Sequence, residues 1–315
     1  MAFGASVLCP VDFSDSSRGA LRYAAAIAAH FGARLTLLVV NDPLLQEADE
    51  YTGYKHLNED TVKDLEQFTA QALPAHAQAP LDRHLRVTTG KPAQEILRIS
   101  REEHCDMIVM SSHGLTGFRK MFFGSTTERV LRETTVPVLV TPGTDGGPER
   151  VEDVRRAVRR VLVPVDLTAA TRHQLDVARG VSEALDVPML LLHVVEPVRA
   201  TLSAAARLPK VEAERRYRAE QDVQRTLDTI PARIKPETLI SYGETAEEIA
   251  KVAADRDAGI IVMGLHSSPL LGPRMGSVTY RVLCLAHRLI LALPPVSAAS
   301  EPHRGKDLAV RTPEG

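Results

Sequence analysis

The sequence predicts an α/β protein built as two tandem open five-stranded parallel sheets with helices on both faces. Three observations carry that expectation. Short β-rich runs alternate with stretches of helical periodicity along most of the chain, the pattern of parallel strands joined by crossover helices. Five separate motifs recur at an offset of 152 to 154 residues, which marks an internal repeat. The two copies meet at Pro142-Gly143-Thr144-Asp145-Gly146-Gly147-Pro148, a run of turn-forming residues. A chain of 315 residues also suits two domains. The expected boundaries are 1–142 for the first domain, 143–158 for a linker, 159–296 for the second domain and 297–315 for a polar tail expected to be disordered.

In order, Ser6 to Val11 is a short strand, closed by Asp12-Phe13-Ser14-Asp15, where Ser14 or Asp15 can cap the next helix. Leu21, Ala24, Ala25, Ile27, Ala28 and Phe31 recur at helical spacing, and Gly32 ends the pattern as a C′ residue does. Arg34 to Val40 is the second strand. A longer loop through Pro43, Tyr51 and Gly53 leads to a helix from Asn58 to His76, and Leu81 to Thr89 is the third strand. Gly90-Lys91-Pro92 opens another helix with proline in its first turn, followed by the fourth strand, Cys105 to Ser111. Gly124, Ser125 and Thr126 start the next helix, and Val136 to Thr141 completes the unit.

The second copy follows the same plan. Val161–Asp166 (VLVPVD) echoes Val7–Asp12 (VLCPVD), and Leu190–Pro197 echoes Thr36–Pro43. Tyr242-Gly243 with Glu247-Glu248-Ile249 echoes Thr89-Gly90 with Gln94-Glu95-Ile96. Ile261 to His266 echoes the fourth strand through His113, and Gly276-Ser277 echoes Gly124-Ser125. Between the copies, five arginines between Glu149 and Arg160 interleave with Glu149, Glu152 and Asp153. Val151, Val154 and Val158 keep helical spacing there, so a solvated linker helix is expected rather than an anion site.

Composition narrows the function. The formal net charge is −2 and aromatic residues make up 4% with no Trp, so neither a phosphate-backbone patch nor a stacking platform for nucleic acid is present. No apolar run reaches the length of a membrane span, and the amino-terminal residues carry no basic targeting region. Cys9, Cys105 and Cys284 are too few and too scattered for a disulfide framework or a CxxC site. Cys284 with His287 offers only two metal ligands, so no metal is expected. A cytoplasmic, reducing setting is the expectation.

The segment Ile108–Val140 carries the chemistry. A strand breaks into small polar residues and glycine, and a helix begins at Gly124-Ser125-Thr126, offering free N–H groups at the positive end of its dipole. Such a site suits phosphate. The spacing Ser111-x-x-Gly114, nine residues, then Gly124-Ser125 resembles the nucleotide loop of the universal stress protein family, G-x-x-G-x9-G-[S/T], with serine in place of the first glycine. The resemblance implies that this loop wraps the ribose and phosphates of ATP, with or without Mg²⁺. It also implies the strand order 3-2-1-4-5, which sets Asp12 beside Ser111 at a topological switch point, and an aspartate at position 12 that hydrogen-bonds the nucleotide. An Asx turn at Asp12 serving the following helix is the alternative, and both can hold at once.

Pro10, Val11, Val39 and Val40 are expected to wall a purine ring, with Met110 as an adaptable contact, and core packing explains the same residues. His113 can meet phosphate or bond within the loop. Ser125 and Thr126 add hydroxyl donors, whereas Arg119 and Lys120 are expected to face solvent. The second loop has Ser267 for the middle glycine, is one residue shorter, and contains Pro269 and Pro273, which remove two N–H donors. The second domain is therefore expected to bind nucleotide weakly or not at all. No Walker A or GxGxxG motif is present, and Val11–Ser16 lacks the glycines of a pyrophosphate loop, which weighs against an adenylating enzyme. A non-nucleotide interaction scaffold is the other alternative. Members of the resembled family pair through their last strands, which implies an internal pseudo-dimer through Val136–Val140 and Leu289–Leu293. Whether two chains form a homodimer is left open.

Overall fold

The computed structural model describes residues 6–52, 56–74, 81–113, 124–143, 146–148, 151–168, 170–198, 208–230, 236–265 and 275–295. The first half runs β1 (Ser6–Pro10), α1 (Asp15–Phe31), β2 (Arg34–Asn41), α2 (Pro43–Thr52), α3 (Leu57–Ala72), β3 (Asp82–Thr89), α4 (Pro92–Glu102), β4 (Met107–Ser111), α5 (Ser125–Glu133) and β5 (Val138–Thr141). A short helix, α6 (Val151–Ala157), leads to β6 (Val161–Pro164), α7 (Ala170–Leu185), β7 (Met189–Val195), α8 (Leu208–Asp228), β8 (Glu237–Tyr242), α9 (Thr245–Asp255), β9 (Ile260–Gly264), α10 (Ser277–Leu285) and β10 (Leu289–Leu293).

The strand order β3-β2-β1-β4-β5-β10-β9-β6-β7-β8 contains the expected 3-2-1-4-5 arrangement in each half. One feature differs from two separate sheets. The last strands pair antiparallel, with Ile290 opposite Val140, Leu291 opposite Leu139 and Ala292 opposite Val138, so the halves share a single ten-stranded sheet. Every other pairing is parallel. The seam joins because both strands are apolar on both faces and would otherwise leave open edges.

Strict alternation explains the layers. Val7, Cys9 and Val11 enter one core with Met107, Val109 and Leu139, while Leu8, Ile108, Met110, Val138 and Val140 enter the core on the opposite face. The second half divides in the same way, with Val161, Val163, Val262 and Leu291 on the first face and Leu162, Ile261, Met263 and Ile290 on the other. Each core therefore runs unbroken across the seam.

Local chemistry sets the helix ends. Ser14 caps α1 by accepting from the Ser17 amide at 3.1 Å, and Gly32 closes it with φ 63°. The segment expected to be a loop through Pro43 and Tyr51 is instead the helix α2. Asp42 caps it, accepting the Leu44 amide at 2.9 Å, and Pro43 occupies the first turn. The helix buries no residue, so no apolar periodicity announced it, and Leu44, Leu45 and Tyr51 remain exposed. The linker helix α6 is only partly solvated. Val154 and Val158 are buried, and Gly259 lets the backbone at Ala157 approach so closely that a Cβ would stand 2.2 Å from its carbonyl oxygen. Among the described residues no helix is long and apolar enough to cross a membrane.

Candidate functional site

The switch point of the first half lies where β1 and β4 part. Val7 pairs with Met107 and Leu8 with Ile108, and beyond them Pro10 and Ser111 end their strands on either side of a crevice. Proline contributes to that opening because it has no N–H for the ladder. Val11 continues toward β2, its amide donating to Leu38 at 2.8 Å. The next turn is tight. Asp12 Oδ1 accepts the Ser14 amide at 3.1 Å and the Ser14 hydroxyl at 2.5 Å, while Phe13 sits at φ 63°. Asp12 thus makes the Asx turn and Ser14 is the cap, with Asp12 itself half-buried at the strand edge.

Across the crevice the start of α5 is tied to β4. The Gly124 amide donates to the Ser112 carbonyl at 2.9 Å, and the Thr127 hydroxyl donates to the Ser111 carbonyl at 2.9 Å. A side chain at 124 would place its Cβ 3.2 Å from the Ser112 carbonyl oxygen, so close backbone approach favours glycine there. Among the described residues no side chain caps the α5 amides, and Ser125 is exposed with Thr126 half-buried. The helix therefore presents its positive end toward the crevice, with Glu128 of its first turn drawn into an ion pair with Arg132 at the next turn.

Ser111 donates to the His113 carbonyl at 2.6 Å, and the Ser112 hydroxyl meets His113 Nδ1 at 2.9 Å while accepting the Gly143 amide at 3.1 Å. The imidazole of His113 has a structural partner in Ser112. Gly143 packs so closely that a Cβ would lie 3.1 Å from that ring nitrogen, and its carbonyl receives the Ser16 hydroxyl at 3.1 Å. The end of the first half is thereby buttoned onto the crevice. Val11, Val39 and Met110 are buried within the two cores, while Pro10 and Val40 are half-buried at the edge. Gly114, Arg119 and Lys120 lie outside the described residues. Burial pushes the nearby Cys9 thiol far above its ordinary range, with the Asp12 charge as the lesser cause, so Cys9 is a packing residue.

The second half reproduces this frame at the repeat offset. Asp166 Oδ1 accepts the Thr168 amide at 3.1 Å and its hydroxyl at 2.7 Å, Leu167 takes φ 60°, the Thr279 hydroxyl donates to the Gly264 carbonyl at 3.0 Å, and the Gly276 amide donates to Leu265 at 2.9 Å. A cavity of about 650 Å³ opens there, lined by Asp166, Gln174, His193, Arg215, Met263 and Thr279 among others. His266, Ser267, Pro269 and Pro273 lie outside the described residues. Two described side chains distinguish the halves. Gln174 Nε2 donates to the carbonyls of Pro164 at 2.7 Å and Val262 at 2.8 Å, and His193 Nδ1 donates to the Val165 carbonyl at 3.0 Å.

Motif reading missed Ser112, Thr127, Gln174 and His193. Thr127 and Thr279 stand at the repeat offset, and that periodicity was the available signal. Gln174 and His193 are visible only when the whole repeat is laid out residue by residue, opposite Ala20 and Val39.

Two α/β units, each with a crevice outside the carboxyl ends of its strands, define the doubly wound class of fold. The universal stress protein family model matches residues 5–142 and 157–291, and the chain belongs to that family as a tandem of two such domains. A universal stress protein of Methanocaldococcus jannaschii is 27% identical over 150 residues, covering 42% of this chain and 92% of that protein. One of Thermus aquaticus is 32% identical over 139 residues, covering 43% and 96%. The crystal structure of a universal stress protein from Archaeoglobus fulgidus superposes over 93% of this chain and 99% of that one, with a TM-score of 0.65 and 20% identity, a likeness of fold.

Proposed function

We propose that the first half binds an adenine nucleotide, ATP with or without Mg²⁺, and that occupancy makes the chain a stress-response or signalling module. The observation that carries this reading is the start of α5. Among the described residues no side chain caps its amides, and its first turn is fastened to β4 by the Gly124 and Thr127 bonds directly beside the crevice. A rigid, uncapped helix N-terminus favours an anionic group, and the adjacent Asp12 carboxylate favours hydroxyl or amine donors. Together they suit a ligand with a phosphate at one end and a nucleoside at the other. In this reading Gly114 completes the loop around the phosphates, and Pro10, Val11, Val39 and Met110 back the base. Ser111 and His113 brace the loop rather than hold phosphate, in keeping with their internal bonds. The second half plays a structural part, binding nucleotide weakly or not at all.

The boundaries 1–142 and 159–296 are taken as the domain limits, and the antiparallel β5–β10 pairing supports treating the two as an internal pseudo-dimer. The three unpaired cysteines suit a cytoplasmic setting.

The test is to denature freshly purified protein, identify released nucleotide by chromatography, and repeat the assay with Gly124→Val. The wild type is expected to release an adenine nucleotide and the variant to release none. Protein that carries none and takes up none in equilibrium dialysis with ATP and Mg²⁺ contradicts the reading and favours the scaffold alternative.

A further inference from the structure

The same proline stands at the end of the first strand in both halves, Pro10 in β1 and Pro164 in β6, and neither supplies an N–H to the strand beside it. Backbone carbonyls at each switch point therefore need donors from elsewhere. In the second half they have them. Gln174, on α7, spreads its amide across the gap and donates to Pro164 on β6 and Val262 on β9, and His193, on β7, donates through Nδ1 to Val165.

The corresponding places in the first half are Ala20 and Val39. The correspondence is structural as well as sequential. The turns before α1 and α7 have left-handed Phe13 (φ 63°) and Leu167 (φ 60°), the helices end on left-handed Gly32 (φ 63°) and Asp186 (φ 53°), and the amides of Val11 and Val165 both donate at 2.8 Å to the equivalent residues Leu38 and Leu192. Ala20 is fully buried and Val39 is buried in the first core, and neither side chain carries a donor. One edge thus meets its carbonyls with amide and imidazole donors, whereas at the other the described side chains offer Pro10 only the weak Cys9 thiol at 3.9 Å.

We infer that Gln174 and His193 set the ligand selectivity between the halves: they occupy the backbone acceptors of the second crevice and so close it to nucleosides, although its cavity persists. The closure is chemical rather than steric. A cavity of about 650 Å³ has room for a nucleoside. A ligand hydroxyl or amine entering it would lose its water and find the backbone acceptors on the floor already used, a cost no apolar contact offsets. The first crevice offers the same backbone without those two internal donors. This inference rests on the proposal that the first half takes an adenine nucleotide.

Adenosine is the probe of choice because it has no phosphates and bypasses the loops after β4 and β9. The full chain labelled with ¹³C at its methionine methyls carries a reporter in each half, Met110 and its counterpart Met263, which lines the second cavity. Titration of the wild type is expected to shift Met110 and leave Met263 in place. The double variant Gln174→Ala, His193→Val, which gives the second half the side chains of the first, is expected to shift both. Its second-half affinity for adenosine should rise by about tenfold or more, as one regained hydrogen bond implies. A folded double variant in which Met263 stays still overturns the inference, as does a wild type in which Met263 already moves. If Met110 does not respond to adenosine or ATP in the wild type, the nucleotide reading of the first half fails, while the Met263 response of the variant still decides the role of Gln174 and His193. Should the double variant not fold, His193→Val alone, a β-branched residue in a strand, is expected to show the smaller part of the gain. No gain in that folded variant overturns the role given to His193.

Discussion

Beside the parting strands β1 and β4 stand Ala20 and Val39, and beside the parting strands β6 and β9 stand Gln174 and His193. The frame around these pairs is held in common: the Asx turns at Asp12 and Asp166, the left-handed residues after them, the threonine hydroxyls of α5 and α10 on the preceding strands, and the amides of Gly124 and Gly276. Backbone geometry has been preserved through the duplication while side-chain hydrogen bonding has diverged. The two crevices therefore differ in the side-chain donors set against their backbone carbonyls.

The halves share one sheet through the seam between β5 and β10. Leu139 and Leu291 face each other across β5 and β10, exposed by only 4% and 2%. Truncating either to alanine is expected to cost about 2–5 kcal/mol. Because both cores cross the seam, denaturant unfolding should remain one transition for wild type and variants. Two separated transitions would show that the halves fold independently.

A sharper comparison comes from the paired aspartates. Asp12→Ala is expected to weaken ATP binding by about 1.5–3 kcal/mol, roughly tenfold to a hundredfold, as loss of a hydrogen bond to a charged group does. Asp166→Ala should leave ATP affinity unchanged. Calorimetry on the two variants side by side gives the difference directly.

The ends of α1 and α7 test the shared backbone with a smaller effect. Gly32 and Asp186 hold the same left-handed conformation, but only glycine does so without a side-chain penalty. Asp186→Gly is expected to raise stability by up to about 1 kcal/mol, and Gly32→Ala to lower it by about as much, in chemical denaturation. An opposite sign at either position would show that the two helix ends are not equivalent.

The smallest effect concerns pH. Glu95 is held below the usual carboxylate range mainly by its hydrogen bond to Arg98, with a second bond from Thr88, against the opposing cost of burial. A depressed folded-state value means that the stabilisation is complete above the unfolded carboxylate range and is lost as pH falls through the lower folded value. Glu95→Gln should therefore lose stability relative to wild type near neutrality, and the gap should close in acid. Across the repeat, Glu248 keeps the Ser241 hydroxyl but has Lys251 at 3.7 Å in place of the arginine fork.

Much of this was legible in the sequence because period and punctuation were strong. Strand alternation, Gly32, Pro92 and the five repeated motifs placed nine of the elements of the first half, and the recurring loop spacing pointed to the crevice. The helix α2 escaped because it buries nothing, so its only signals were Asp42 and Pro43 at its start. The single continuous sheet escaped because strand pairing across 150 residues leaves no local trace, although both final strands read as wholly apolar. At the site, residue type proved ambiguous wherever one side chain serves two masters: Asp12 makes the turn as well as facing the crevice, and His113 bonds Ser112. Gln174 and His193 look like an ordinary helical glutamine and strand histidine until the acceptors left by Pro164 are counted.

Nucleotide occupancy is expected to differ between the two crevices. Calorimetric titration of the emptied full chain with ATP and Mg²⁺ should give a stoichiometry of one, with affinity weakened roughly tenfold to a hundredfold in Asp12→Ala and unchanged in Asp166→Ala; two equivalent sites, or a site weakened in Asp166→Ala alone, would contradict it.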